Sequence, residues 1–177
     1  MYILSFDKHP LGEQREDRIG AKMLRDTVEQ QMGKLAEEGA RGCACGNIRQ
    51  AARAVTQLFD EALRPAGLRA TQFGILGATM VMGPLTVTKL AEVTVTDRTT
   101  LTRNLRLLAK KGLIRIQMGS DRREREVTLT DRGREALAKG YPFWQKAQTH
   151  VVKGLGEERW KALREGLSAV VSLTRGS

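Results

Sequence analysis

Arg98, Thr99, Thr102, Arg103 and Arg106 recur at intervals of one, three and four within TVTDRTTLTRNLRLLAKKGLIRI (94–116), a spacing that puts them on one face of an α-helix. Guanidinium groups present a planar fork of donors, and threonine hydroxyls both donate and accept. Such a face suits an anionic surface rich in acceptors. A second basic cluster, Arg122, Arg123 and Arg125 beside Asp121, follows within SDRREREVTLTDRG (120–133). Bond-making chemistry is poorly served by comparison. The chain has only two histidines, no Walker-type or Rossmann glycine loop, and no nucleophile with a histidine close in sequence. No enzyme activity is expected.

Composition narrows the partner. Thirty Lys and Arg against 20 Asp and Glu give a formal charge of +10 over 177 residues, which favours a polyanion. The excess is local. Residues 1–42 hold 7 basic and 8 acidic residues, whereas 95–134 hold 11 basic and 5 acidic ones. Nucleic acid leads the candidates, and the helix-turn-helix pattern described below narrows it to double-stranded DNA. The opening MYILSF meets Asp7 and Lys8 before it could form a signal-peptide core, and no apolar run is long enough to span a membrane. A cytoplasmic protein without a membrane partner is expected, and two cysteines do not make a disulfide framework.

The elements that must position the basic residues follow from periodicity. Asn47–Leu63 carries a broad apolar face that includes Ile48, Val55, Leu58 and Phe59, and RPAG ends it. A second helix is expected over RATQFGILGATMVM with Thr71 as its cap, until Gly83-Pro84 breaks it. LTVTKLAEVT gives a short helix capped by Thr86. Three residues later the 94–116 stretch begins its longer helix, capped by Asp97 or Thr96, with Leu101, Leu105 and Leu108 turned inward. Short helix, tight turn and longer helix form a helix-turn-helix, whose second helix enters the major groove. Thr96 and Thr100, with the basic face, are candidate DNA contacts; a merely solvated helix face is the alternative.

After Gly112 the period becomes alternating. LIRIQMG and VTLT read as two strands of a β-hairpin with a charged tip. An arginine at such a tip suits the narrow, strongly negative minor groove. A helix capped by Thr130 or Asp131 follows and continues through a kink at Pro142, and GEERWKALREGLSAVVSL forms the last helix. The expected fold is mainly α with a small β-hairpin, a winged helix-turn-helix joined to a helical dimerisation region. Its parts are an N-terminal extension (1–42), either an extra helix or disordered, a dimerisation helix and linker (43–70), the DNA-binding lobe (71–134) and C-terminal dimerisation helices (135–177). The terminal helices carry more apolar surface than a small winged domain covers, and a homodimer would absorb it.

LTVTKLAEVTVTDRTTLTRNLRLLAKKGLIRI together with SDRREREVTLTDRG closely resembles the MarR family of bacterial transcriptional regulators over residues 43–175. The wing signature of Asp-x-Arg, a strand and Leu-Thr-x-x-Gly is its most specific part. The resemblance implies an obligate homodimer reading a pseudo-palindrome, with Arg123 in the minor groove and Asp121 bracing the wing. It also implies a repressor released by a small aromatic ligand or by an oxidant.

Two switches are therefore weighed. GCACGN places Cys43 and Cys45 before the first family helix, a position similar to that in the peroxide-responsive branch, although tyrosine hydroxyls support the thiolate there and the nearby candidates here, Phe59 and Phe73, cannot donate. Inert thiols at a dimer interface are the alternative. For an aromatic acid, Phe59, Phe73, Trp144 and His150 could line a cleft with Arg49 or Arg53 on the carboxylate, or else pack as plain core. Two cysteines and two distant histidines do not make a metal site, and no cofactor is expected. A winged helix that binds another protein is the rival outside this class.

Overall fold

The computed structural model describes residues 13–119 and 123–175. Its helices are α1 (Glu13–Gly42), α2 (Ala44–Leu63), α3 (Ala70–Met82), α4 (Val87–Thr94), α5 (Arg98–Lys110), α6 (Asp131–Leu155) and α7 (Glu157–Arg175). The strands are β1 (Leu85–Thr86), β2 (Ile114–Met118) and β3 (Arg125–Leu129). Two compact units divide the chain between Arg53 and Ala54.

In the first unit, α1 spans Glu13–Gly42. Cys43 separates it from α2. The junction is held by Cys43 N–H donating to the Gly39 carbonyl at 2.9 Å and by the Asn47 amide, which donates to the Arg41 and Cys43 carbonyls at 3.0 Å each. Arg49 and Arg53 are exposed.

The second unit is built on one core. Leu63, Leu76, Leu90, Leu101, Leu108 and Val127 are fully buried, contributed by α2, α3, α4, α5 and β3. Burying a leucine side chain of this kind contributes about 1.5–3 kcal/mol. Leu101, Leu105 and Leu108 thus form the inward stripe of α5, which fixes its opposite face outward. Gly140 of α6 lies against the Phe73 ring, where a Cβ would come within 3.0 Å. That close approach lets α6 pack on α3.

One sequence expectation is corrected and another extended. Thr71 is not the start of α3, which begins at Ala70; the amide of Ala70 is satisfied by the Asp60 carboxylate of α2 at 2.7 Å, and the Arg69 amide by the Gln72 side chain at 3.3 Å. Asp60 lies ten residues upstream, so its contact with the Ala70 amide leaves no local signal, whereas the Gln72 contact is local. The expected hairpin is formed by β2 and β3, and β1 adds a third strand to it, in the order β1-β3-β2 and all antiparallel. Leu85 pairs with Val127 and Thr86 with Glu126, while Ile116 pairs with Val127 from the other side. A two-residue strand is too short to show alternation. α6 runs as one helix through Pro142.

Candidate nucleic-acid interface

α4, the turn Val95–Asp97 and α5 form the helix-turn-helix. Thr86 caps α4, its hydroxyl accepting from Lys89 N–H at 3.1 Å. In the turn, Val95 adopts the left-handed conformation at φ 49°, and Thr96 N–H returns to the Ala91 carbonyl at 3.0 Å. A β-branched side chain is strained in that region. Asp97 caps α5 by accepting from Thr100 N–H at 2.8 Å. Hydrogen bonds from Thr100, its hydroxyl first and then its amide, hold the Asp97 carboxyl below its ordinary range.

These bonds sort the predicted contacts. The Thr96 hydroxyl donates to the Thr94 carbonyl at 3.0 Å, and Thr100 is engaged at the cap. Both serve the frame of α5. Arg98, Thr99, Arg103 and Arg106 are exposed and Thr102 half-buried, all five lining one shallow depression along the helix. The Thr102 hydroxyl donates to the Arg98 carbonyl at 2.6 Å, so its methyl and remaining lone pair are what it can offer outward.

The wing is set by α6. Thr130 caps that helix by accepting from Gly133 N–H at 3.0 Å, and its own hydroxyl donates to the Gly112 carbonyl at 2.7 Å. Thr130 N–H donates to the Leu113 carbonyl at 3.2 Å. Gly133 packs so closely on that carbonyl that any Cβ would collide with its oxygen. The spacing of threonine and glycine in LTDRG therefore has a physical cause, because it ties the end of α5 to the start of α6 and aims β2 and β3.

Arg98, Thr102 and Arg106 of α5 and Arg123 and Arg125 of the wing come together around a cleft of about 440 Å³. Arg123 and Arg125 are exposed. Asp121 and Arg122, the other two predicted wing residues, lie outside the described residues. The cleft is also lined by Thr86 at the end of β1, by Val87 and Thr88 of α4, by Ile116 of β2 and by Glu124, none of which was named from sequence as a DNA contact. The position of Thr86 and Thr88 on either side of the start of α4 was the available signal.

The other predicted sets are placed as follows. Phe73 is buried and its ring stacks on Trp144 at 6.1 Å between centroids, while Tyr141 stacks on the same indole at 5.7 Å. Phe59 is half-buried and His150 exposed. Cys43 and Cys45 are exposed free thiols, and Cys43 Sγ accepts from Gly46 N–H at 3.3 Å, as a cap of α2. Among the described residues no three His, Cys, Asp or Glu side chains are grouped to hold a metal ion, and no helix is long and apolar enough to cross a membrane.

The sequence profile of the MarR family matches residues 66–124, the helix-turn-helix and the start of the wing. An uncharacterized HTH-type transcriptional regulator of Bacillus subtilis, YwaE, is 31% identical over 116 residues, 65% of this chain and 68% of its own length. This chain belongs to the MarR family. It is a winged-helix, DNA-binding transcriptional regulator, as the solved MarR-family structures it superposes on bear out. Mycobacterium tuberculosis MosR in complex with DNA is 37% identical, with a TM-score of 0.70 over 76% of this chain and 97% of that one. A mutant of Escherichia coli MarR complexed with operator DNA shares the MarR fold at a TM-score of 0.67 and 24% identity, over 75% of this chain and 96% of that one. MarR-family regulators are non-enzymatic DNA-binding proteins, in keeping with the sequence expectation.

Proposed function

We propose that this MarR-family regulator is a homodimeric repressor that reads a pseudo-palindromic operator, one half-site per winged lobe, and is released by a small aromatic ligand. The observation that carries the reading is the cleft in which Arg98 and Arg106 of α5 face Arg123 and Arg125 of the wing. Four guanidinium groups around one open space suit a phosphate backbone, with Thr99 and Arg103 on the outer face of α5 for base edges. Arg123 is proposed for the minor groove. A protein partner is disfavoured, since its hot spots are mainly apolar or aromatic. The homodimer is supported by Leu163, Leu167, Val170 and Leu173, exposed along α7 at intervals of four, three and three.

Selection of bound duplexes from a random DNA pool at physiological salt tests the reading. An enriched pseudo-palindrome with half-sites about one helical turn apart is expected; no enrichment by a folded dimer would return the protein-partner alternative. For the effector we propose Trp144, half-buried and stacked on Phe73 and Tyr141, with Phe59 and His150 as further candidates for ligand contact. Trp144→Phe should then abolish release from the operator by an aromatic acid such as salicylate.

A second reading, redox release, is favoured by one observation: the Cys43 thiol is both exposed and held by the Gly46 amide. Operator release by peroxide that survives in Cys43→Ser and in Cys45→Ser would dismiss it.

A further inference from the structure

Two hollows flank Lys111, the residue that ends α5. On the side of α2 the charges nearly balance, since Asp60 and Glu61 stand with Arg64, Arg69 and Lys111, and the Asp60 carboxylate already accepts from the Ala70 amide. On the side of α6 they do not. That hollow, of about 470 Å³, is lined by the cations Lys111, Arg132 and Lys139 and by Glu135 alone of the acids, a net charge of +2. Glu135 stands three residues from Arg132 and four from Lys139, the spacings at which a helix forms ion pairs, yet among the described residues it pairs with neither. Arg132 instead lies along Gly112, its Nη1 3.9 Å from where a Cβ on that glycine would stand. The rest of the lining, Ala66, Gly67, Leu68, Leu113 and Ala136, has no polar side chain.

Three cations gathered on one hollow repel one another, and an anion among them relieves that cost. DNA is not the anion that fits. Lys111 stands about 20 Å along the axis of α5 from Arg98, and no residue of the DNA cleft lines this hollow. Its volume instead lies within the range of about 300–1,000 Å³ usual for small-molecule sites. A guanidinium and two ammonium groups over an apolar base suit a compact anionic head carrying a short hydrocarbon body. Charge selects the head, because a phosphate monoester brings nearly two negative charges at neutral pH and a carboxylate only one. We propose that this hollow binds the phosphate monoester of a small, partly apolar metabolite, its head among Lys111, Arg132 and Lys139. The occupant joins the turn after α2, the end of α5 and the first turns of α6, and so reaches the reading helix from the end opposite Arg98.

The test is isothermal titration calorimetry of the full chain with butyl phosphate, an alkyl probe that lacks the ring proposed to stack on Trp144. Saturable binding with a dissociation constant below about 1 mM is expected. Arg132→Gln with Lys139→Gln, both exposed and outside the DNA cleft, should weaken it at least about ten-fold, and Glu135→Gln should tighten it about two- to five-fold. Butyl sulfate, of the same shape with a single charge, should bind about three-fold or more weakly. No saturation up to about 10 mM butyl phosphate overturns the site, as does an affinity that the double variant leaves unchanged. Binding lost in Arg98→Gln with Arg125→Gln places the probe in the DNA cleft and equally overturns it. Equal affinity for butyl sulfate overturns the choice of phosphate. The measurement needs no DNA, so its failure is distinct from failure of the operator reading.

Discussion

The Lys111 ammonium donates to the Gly67 carbonyl at 2.9 Å, fastening the end of α5 to the turn that follows α2, 44 residues earlier in the chain. Lys111 is exposed, so the bond works in a high dielectric and contributes near the low end of the usual range. Lys111→Met should lower unfolding free energy by about 0.5–1 kcal/mol in urea titrations, with an unchanged denaturant slope.

Gly133→Ala is expected to be far more damaging. The added methyl collides with the Leu113 carbonyl oxygen, a backbone atom that cannot swing aside as a side chain would. Relief requires moving the α6 start away from β2, breaking the Thr130 bonds to Gly112 and Leu113. A loss of about 2 kcal/mol or more is expected from thermal or chemical unfolding. Retention of wild-type stability would mean that the LTDRG turn is not under the constraint described.

Val95→Gly should do the opposite. At φ 49° the valine is held in a region that costs a non-glycine residue about 1–2 kcal/mol, against a smaller entropic penalty for glycine in the unfolded chain. A rise of about 1 kcal/mol is expected, read as an increase in melting temperature.

Asp97 confers a pH dependence whose sign is fixed by its hydrogen bonds. Thr100 lowers the carboxyl's folded-state pKa below the unfolded one, so the cap's contribution is complete at neutral pH and is lost as pH falls through the folded-state value. Asp97→Ala should be less stable than wild type at pH 7, and the gap should close in strongly acidic solution. A gap that is constant with pH would exclude the carboxylate as its source.

Arg123→Ala should weaken DNA binding by about 1–3 kcal/mol at physiological salt. Loss of a phosphate contact would also lower the slope of log affinity against log salt by about 1. Wild-type affinity in a titration with the selected duplex would remove Arg123 from the interface.

Much of this was legible in the residues because α5 is amphipathic on its own. Leu101, Leu105 and Leu108 declare the buried face, and the remaining positions then have to point outward. Caps made locally were readable for the same reason: Thr86, Asp97 and Thr130 each sit three residues before the amide they satisfy. The α3 start was misread because its cap, Asp60, comes from another helix. β1 was missed because two residues carry no period, and its pairing depends on β3, about 40 residues later. The lining of the cleft by Val87, Thr88 and Glu124 is likewise a product of packing. The Phe73–Trp144 stack shows the limit in the other direction, since an aromatic at helical spacing reads the same whether it faces a ligand or a neighbour.

The brevity of β1 conceals its mechanical importance. Leu85 and Thr86 stand immediately before α4 and are laddered to Val127 and Glu126 of the wing, so the wing is bonded to the first helix of the DNA-reading pair and supported through Thr130 at the other end. Wing and reading helix therefore behave as the two jaws of a calliper whose gap is preset. On the proposed two-lobe reading, the distance between the groove features touched within one half-site would have to match that gap, and any tolerance for spacing would reside between the lobes.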